Sequence, residues 1–439
     1  MTYAEVTAFL YGLRRFGWRP GLATIQRLLA LVGDPHLETA SIHIGGTNGK
    51  GSTAAMLAAI LRAAGYRTGL YTSPHLLSFA ERIQVDGKPI DEAEIVECTR
   101  ALKALCTTHF APETTSAPGD RLPHPTFFEL TTAMAFLHFR RRGVNAAVIE
   151  VGLGGRLDAT NAIQPRVAVI TNIALEHEEY LGRTLAAIAA EKAGIVKPGS
   201  PVVTAARGEA LAVIRETAAR LHAPLIAIPE TYRWAVRESG FAGQVFDLEG
   251  PRRRYEALRV SLVGRHQVEN AVLAVAAAEA SEDQGFSLDT AAIRRGLADA
   301  RWPGRLHIVQ ERPRIILDGA HNPAGAEALA AFLAEHRAEL GRLILVFGVL
   351  KDKNWEAMLG VLAPFAHEVI LTYPPSKRGA DPAVLVPAAR RHARATVAEN
   401  PETALAMARA AAQAEDTILV AGSLYTVAAA LQALGATSA

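Results

Sequence analysis

Ser41-Ile42-His43-Ile44-Gly45-Gly46-Thr47-Asn48-Gly49-Lys50-Gly51-Ser52-Thr53-Ala54-Ala55-Met56-Leu57 is the stretch whose reading decides the fold. Apolar residues alternate up to Ile44, glycines follow around one lysine, and Leu57, Ile60, Leu61 and Ala64 then recur at helical spacing. The order is strand, phosphate loop, helix. Glycines let a turn aim its N–H groups inward with no Cβ in the way, a helix start adds partial positive charge, and Lys50 adds a full one. Such a turn holds a polyphosphate. The strict nucleotide-loop pattern asks for glycine where Ile44 stands and a hydroxyl residue where Gly51 stands. On pattern alone, a Gly-rich turn with a solvated lysine therefore stays open as the alternative.

The same unit recurs along the chain. Thr68 to Tyr71 reads as a strand running into Thr72-Ser73-Pro74-His75, and parallel sheets bind ligands at strand C-terminal ends, so Ser73 and His75 are well placed. Thr107 to Pro125 reads as a Pro-, Thr- and Ser-rich loop. Thr126-Phe127-Phe128-Glu129 opens a helix ending in Arg140-Arg141-Arg142, with Glu129 either complementing the helix dipole or serving a site. Ala146 to Val151 is a buried-type strand that carries Glu150 into Gly152-Leu153-Gly154-Gly155-Arg156-Leu157-Asp158-Ala159-Thr160-Asn161. This is not the dinucleotide fingerprint, which requires glycine at Leu157. A carboxylate closing such a strand suits a magnesium ion at nucleotide phosphates, or else caps a loop N–H.

Val167 to Ile170 leads into a segment where His177-Glu178 resembles the start of a zinc-protease helix. Leu181 occupies the place of its second histidine, so zinc is rejected. Taken alone, His177 reads as an ordinary core or surface histidine, and Lys192 as a surface partner of Glu191. Pro201 to Thr204 and Leu225 to Ile228 extend the strand–helix alternation, Tyr232 to Val263 reads as antiparallel hairpins, and Gly264 opens an alanine-rich helix. After Trp302-Pro303-Gly304 a fresh series begins, with strands at Arg314 to Leu317, Leu343 to Phe347, Glu368 to Leu371 and Thr417 to Ala421. The expected class is α/β. Residues 1–299 form a P-loop-type parallel-sheet domain with helices and a small antiparallel section, and residues 300–439 a Rossmann-like doubly wound domain.

A chain of 439 residues exceeds what one core supports, in keeping with two domains. Forty-six Lys and Arg against 44 Asp and Glu leave a net charge of +2, which gives no reason to expect nucleic acid or an anionic membrane as partner. No aromatics interleave the Arg140 to Arg142 and Arg252 to Arg254 runs, which read as a helix end and a solvated hairpin. Cys98 and Cys106 are too few to scaffold the chain, and with no signal-peptide layout and no bilayer-length apolar run the expected home is the cytoplasm. No Gly-x-Ser-x-Gly elbow offers a protein nucleophile.

Read in series, eight motifs spread over both domains resemble the folylpolyglutamate synthase/dihydrofolate synthase family of Mur-type ATP-dependent ligases. They are Gly46 to Ser52, Tyr71 to Leu76, Thr126 to Glu129, Glu150 to Asn161, Gly264 to Gln267, Trp302 to Arg305, Asp318 to Pro323 and Gly422 to Tyr425. The resemblance implies ATP and Mg²⁺ as cofactors, with Asn48, Gly49, Lys50, Gly51, Ser52, Asn270, Arg305 and Asp318 on ATP and Ser73, Glu150 and His177 on the metal. It implies Thr126, Phe127, Phe128, Glu129, Leu157, Asp158 and Ala159 beside a pterin-bearing acceptor, and a carbamate on Lys192. Lys50, His177, Lys192 and Arg305 are the expected catalytic set. The implied reaction joins L-glutamate to folate and/or dihydropteroate, in a monomer, with the amino acid on the side of the second domain. Glu176 stands where the family usually carries aspartate. The rival enzyme is a Mur-type ligase acting on a cell-wall precursor, and the rival outside enzymes is an ATP-binding switch protein.

Overall fold

The structure, a computed structural model, describes residues 1–17, 19–112 and 121–435. Its first compact unit comprises Met1–Trp234, Leu248–Leu258 and Glu269–Ala300, and its second comprises Ala235–Asp247, Arg259–Val268 and the chain from Arg301 onward.

The first unit is built on an eight-stranded sheet. Its strands are β1 (Ala40–Gly45), β2 (Thr68–Tyr71), β3 (Ile83–Val85), β4 (Lys88–Pro89), β5 (Ala146–Glu150), β6 (Val167–Ile170), β7 (Val202–Thr204) and β8 (Leu225–Ala227), in the order β4-β3-β2-β5-β1-β6-β7-β8. From β2 to β8 neighbours run parallel, while β3 and β4 add an antiparallel edge. Because β1, β5 and β6 are buried at all but one position, their sequences are near-continuous apolar runs. The register sets Ile44 opposite Glu150 and Gly45 opposite Ile170, so the C-terminal ends of β2, β5, β1 and β6 finish side by side. That edge is where a parallel sheet gathers a ligand.

Helix Lys50–Ala63 covers the sheet and is buried along Ser52 to Leu61. Helix Thr290–Asp299 packs tightly on it: a Cβ on Gly296 would lie 2.4 Å from the Ile60 Cα. Helix Glu92–His109 includes Thr107 to His109, so the expected loop begins later than Thr107, and its residues 113–120 lie outside the described residues. Strands β9 (Arg233–Gly240), β10 (Gly243–Glu249) and β11 (Arg254–Val260) form a three-stranded sheet. The arginines before β11 are not merely solvated: Arg253 pairs with Glu282, and Arg252 with Asp283.

The second unit holds a six-stranded mixed sheet: β12 (His307–Glu311), β13 (Arg314–Leu317), β14 (Leu343–Phe347), β15 (Glu368–Thr372), β16 (Arg394–Ala398) and β17 (Thr417–Ala421). The order is β12-β13-β17-β14-β15-β16, with β12 antiparallel to β13 and the others parallel. Its core is apolar, with Leu345, Phe347, Leu371 and Leu419 fully buried.

Candidate active site

The turn after β1 is shaped by two glycines at positive φ. Gly46 sits at φ 128°, and a Cβ there would lie 1.9 Å from Thr171 Oγ1; Gly49 caps the following helix at φ 84° against the Asn270 amide. Only glycine takes both positions without strain. The segment after β6 braces the turn. Thr47 N–H donates to the Asn172 carbonyl at 2.8 Å, Asn48 N–H to Asn172 Oδ1 at 2.9 Å, and Thr171 Oγ1 to the Asn48 carbonyl at 2.7 Å. No side chain caps helix Lys50–Ala63, so its first N–H groups, including those of Lys50, Gly51 and Ser52, are left to an anion. Lys50 Nζ is parked on the Thr47 carbonyl at 2.8 Å, within the same turn.

Beside the turn, the Ser73 N–H donates to Glu150 Oε2 at 3.0 Å, which ties the end of β2 to the end of β5. Glu150 is 4% exposed. Ser73 and Glu150 bring hydroxyl and carboxylate oxygens, the donors that Mg²⁺ takes. Among the described residues no three His, Cys, Asp or Glu side chains cluster as a metal cage. Mg²⁺ keeps waters and phosphate oxygens and takes only one or two carboxylates. His177 stands in left-handed conformation at the start of the short helix Glu178–Leu181, with Nε2 3.8 Å from Glu176 Oε1.

Lys192 is not the surface partner of Glu191. Glu191 binds Arg156 at 2.8 Å, and Lys192, one position on and so about 100° around the helix, turns inward. It is 4% exposed, and its Nζ donates to the Gly46 carbonyl at 2.7 Å. Burial pushes its pKa down to about 7, the Lys50 charge adds to that, and Glu176 and Asp158 oppose it. Lys50, Lys192 and Glu176 thus form one electrostatic group around the turn.

The residues expected beside the acceptor make these contacts. Thr126 and Glu129 form a reciprocal helix cap: Thr126 N–H donates to Glu129 Oε2 at 2.8 Å and Glu129 N–H to Thr126 Oγ1 at 3.3 Å. Phe127 is buried against Phe79 and Tyr11, with Arg14 and Arg82 over its ring. Asp158 is 3% exposed and collects the N–H groups of Gly152 and Leu153 on Oδ2, at 3.1 and 2.9 Å. Ala159 is buried, whereas Phe128 and Leu157 are partly exposed. A Cβ on Gly152 would lie 2.4 Å from the Phe128 ring, so that backbone lies directly on the aromatic face. His75 accepts a hydrogen bond from Arg82 Nε at 2.7 Å, and burial with the Arg82 and Arg14 charges pushes its pKa down to about 3.

Within the second unit, Asp318 Oδ2 accepts from the Leu306 N–H and Oδ1 from the Ala320 N–H, both at 2.8 Å. Arg305, half-buried, donates to the Gly304 carbonyl at 2.9 Å and lines Gly319. Burial holds the neighbouring His266 neutral, opposed by Asp318 and reinforced by Arg305.

Sequence reasoning placed His75 at a strand end but passed over its partners Arg82 and Tyr11, and over Asn172 and Thr171, which hold the turn. The only signal for Asn172 and Thr171 is their place directly after the β6 apolar run.

The model of the Mur ligase middle domain matches residues 44–278, and that of the Mur ligase glutamate ligase domain matches residues 304–424. A dihydrofolate synthase/folylpolyglutamate synthase of Bacillus subtilis is 36% identical over 431 residues, covering 97% of each chain. Mycobacterium tuberculosis folylpolyglutamate synthase complexed with ADP superposes with a TM-score of 0.90 at 37% identity, over 99% of both chains. Escherichia coli FolC in complex with DHPP and ADP superposes at 0.86 with 32% identity, again over 99% of both.

Proposed function

The chain belongs to the folylpolyglutamate synthase/dihydrofolate synthase family of Mur ligases, and from that premise we propose how its residues carry the reaction. It is an ATP-dependent amide ligase that adds L-glutamate to folates and/or dihydropteroate, releasing ADP and phosphate. The observation behind the site reading is the side-by-side ending of β2, β5, β1 and β6. An uncapped helix start with Lys50 then stands beside the Ser73–Glu150 pair.

The acceptor carboxylate attacks the γ-phosphate of ATP, giving an acyl phosphate and ADP. The amino group of glutamate then attacks the acyl carbon, and phosphate leaves. The first step brings anions together, and each unit-charge pair at ~4 Å repels by about 4 kcal/mol at a surface-like dielectric. Uncompensated, one such pair slows the step roughly a thousandfold. The N–H groups of Gly49 to Ser52 cradle the phosphates, and Lys50 leaves the Thr47 carbonyl to neutralise them. Ser73, Glu150 and His177 would hold Mg²⁺, which when bound shields phosphate charge. Asn270 and Asp318 would contact the nucleotide, and Arg305 the phosphates. Phe128 and Leu157 offer the open apolar contacts for a pterin ring, while Thr126, Phe127, Glu129, Asp158 and Ala159 set their backbone. Residues 1–299 would serve ATP and the acceptor, and residues 300–439 glutamate; the protein would act as a cytoplasmic monomer.

No helix among the described residues is long and apolar enough to cross a membrane. The test is ADP release assayed with each substrate omitted in turn. The reading expects turnover only when a pteridine carboxylate and L-glutamate are both present. Turnover without either one overturns it, as does product formation from a cell-wall precursor in place of the pteridine.

A further inference from the structure

Behind the acceptor loop lies a buried polar chain that the reaction as described does not use. His43 is fully buried in the middle of β1, and its Nε2 lies 2.8 Å from Thr160 Oγ1. Thr160, also fully buried, lies 2.5 Å through the same hydroxyl from Asp158 Oδ1, and its N–H adds a second bond to that oxygen at 3.0 Å. The other oxygen of Asp158 holds the Gly152 and Leu153 N–H groups.

Donor and acceptor roles follow from inventory. Burial raises the Asp158 pKa, while the Thr160 hydroxyl and the Leu153, Thr160 and Gly152 N–H donors favour the carboxylate; as a carboxylate it only accepts, so the single hydroxyl proton of Thr160 goes to Asp158. The Thr160 oxygen is then an acceptor toward His43, and the imidazole must carry its proton on Nε2. Its Nδ1 is buried without a hydrogen-bond partner, the arrangement of a neutral ring that serves only as a donor. Burial pushes the His43 pKa down to about 3, which agrees with that neutral state. The chain therefore runs one way: His43, Thr160, Asp158, then the Gly152–Leu153 backbone lying on the Phe128 ring.

We propose that His43 and Thr160 are positioning residues for the acceptor. Through Asp158 they fix the backbone that, with Phe128 and Leu157, borders the pterin ring. Three of the four bonds on Asp158 would survive loss of the Thr160 hydroxyl, so the loop loosens without leaving its place. The consequence is specific: acceptor binding weakens while nucleotide binding, held by the turn after β1 and its Asn172 brace, does not. This rests on the acceptor assignment of the preceding subsection, and the test separates the two.

The experiment compares wild type with Thr160→Ser, Thr160→Cys and Thr160→Val, reading two quantities. The first is amide hydrogen exchange at Gly152 and Leu153; the second is KM for the pteridine acceptor against KM for ATP. Thr160→Val should speed exchange and raise acceptor KM about tenfold, the size of one lost hydrogen bond to a charged acceptor, with KM for ATP within about twofold. Thr160→Ser should match wild type and Thr160→Cys, with its weak S–H donor, fall between. Should Thr160→Val fail to fold, Thr160→Cys carries the same test. Unchanged exchange in whichever of the two folds overturns the proposal, as does a parallel rise in both KM values or a serine variant as impaired as valine. If wild type consumes no pteridine, the functional reading fails, while faster exchange confined to the loop still supports the positioning chain.

Discussion

Lys192 can be tested through the pH at which it reacts with carbon dioxide. Its amine is 4% exposed, held by the Gly46 carbonyl at 2.7 Å, and titrates at about 7 in the folded chain. With that value the neutral fraction is about 10% at pH 6 and about 90% at pH 8, against about 0.3% at pH 8 for an ordinary lysine. Only the neutral amine attacks CO₂, forming the N–C bond of a carbamate and releasing one proton. Reactivation of CO₂-depleted enzyme at fixed CO₂ pressure should therefore speed up about tenfold between pH 6 and pH 8, a ratio that follows from the neutral fractions. An amine at its ordinary value would speed up about a hundredfold over the same interval. The assay is ADP release after adding CO₂, with ¹³C-labelled bicarbonate giving a carbamate carbon signal that disappears in Lys192→Arg. Activity indifferent to CO₂, a fully active Lys192→Arg enzyme, or a hundredfold pH response would each refute the reasoning.

Four further outcomes follow from the geometry. Gly46→Ala places a Cβ 1.9 Å from Thr171 Oγ1 at φ 128°; it should cost about 1–3 kcal/mol in denaturant melts and weaken ADP binding more than tenfold. Glu129→Ala removes the buried half of the Thr126 cap and should destabilise the fold by about 1–2 kcal/mol, read by urea unfolding, and an unchanged midpoint would count against the cap. Glu150→Gln should raise the Mg²⁺ concentration for half-maximal turnover about tenfold or more, by loss of a charged ligand, with ADP affinity measured in EDTA unchanged. In CO₂-depleted buffer, wild-type stability should rise with pH from about 7 toward 10.5, because the unfolded chain keeps the Lys192 proton that the folded chain has already lost. Lys192→Met should remove that slope, and equal slopes in the two proteins would count against the buried amine.

The strands that build the site are legible because both faces are covered. Ala40–Gly45, Thr68–Tyr71, Ala146–Glu150 and Val167–Ile170 are buried almost throughout, and such strands must be apolar runs ended by turn residues. Edge strands leave a weaker record. Ile83–Val85 and Lys88–Pro89 are three and two residues long, and Arg394–Ala398 carries polar residues at its half-open positions. Within the site, the phosphate turn announces itself through its glycines. Lys192 does not, because Glu191-Lys192 looks like an ion pair until the helix is seen to give Glu191 to Arg156 and to send Lys192 to Gly46. Glu129 and Asp158 show the opposite case: a carboxylate in a motif looks free, and both accept backbone N–H groups that no local pattern announces. Whether a polar side chain faces ligand or backbone depends on partners far along the chain, and no local pattern carries that information.

The glutamate at position 176, where the family's usual residue is shorter, acquires a reason from the charges around the turn. Lys50 and Lys192 hang on successive carbonyls, those of Thr47 and Gly46, so two cations compete for one small volume. The Lys50 charge lowers the Lys192 pKa further than burial alone. The Glu176 side chain, nearly buried, raises the Lys192 pKa against the pull of burial and Lys50. Without it the amine would titrate lower still. Carbamate formation would relieve the same conflict differently, replacing one cation by an anion and freeing Lys50 to leave Thr47 for a phosphate. Glu176→Gln should therefore shift the midpoint of the reactivation profile to lower pH, and an unmoved midpoint would remove Glu176 from the charge balance.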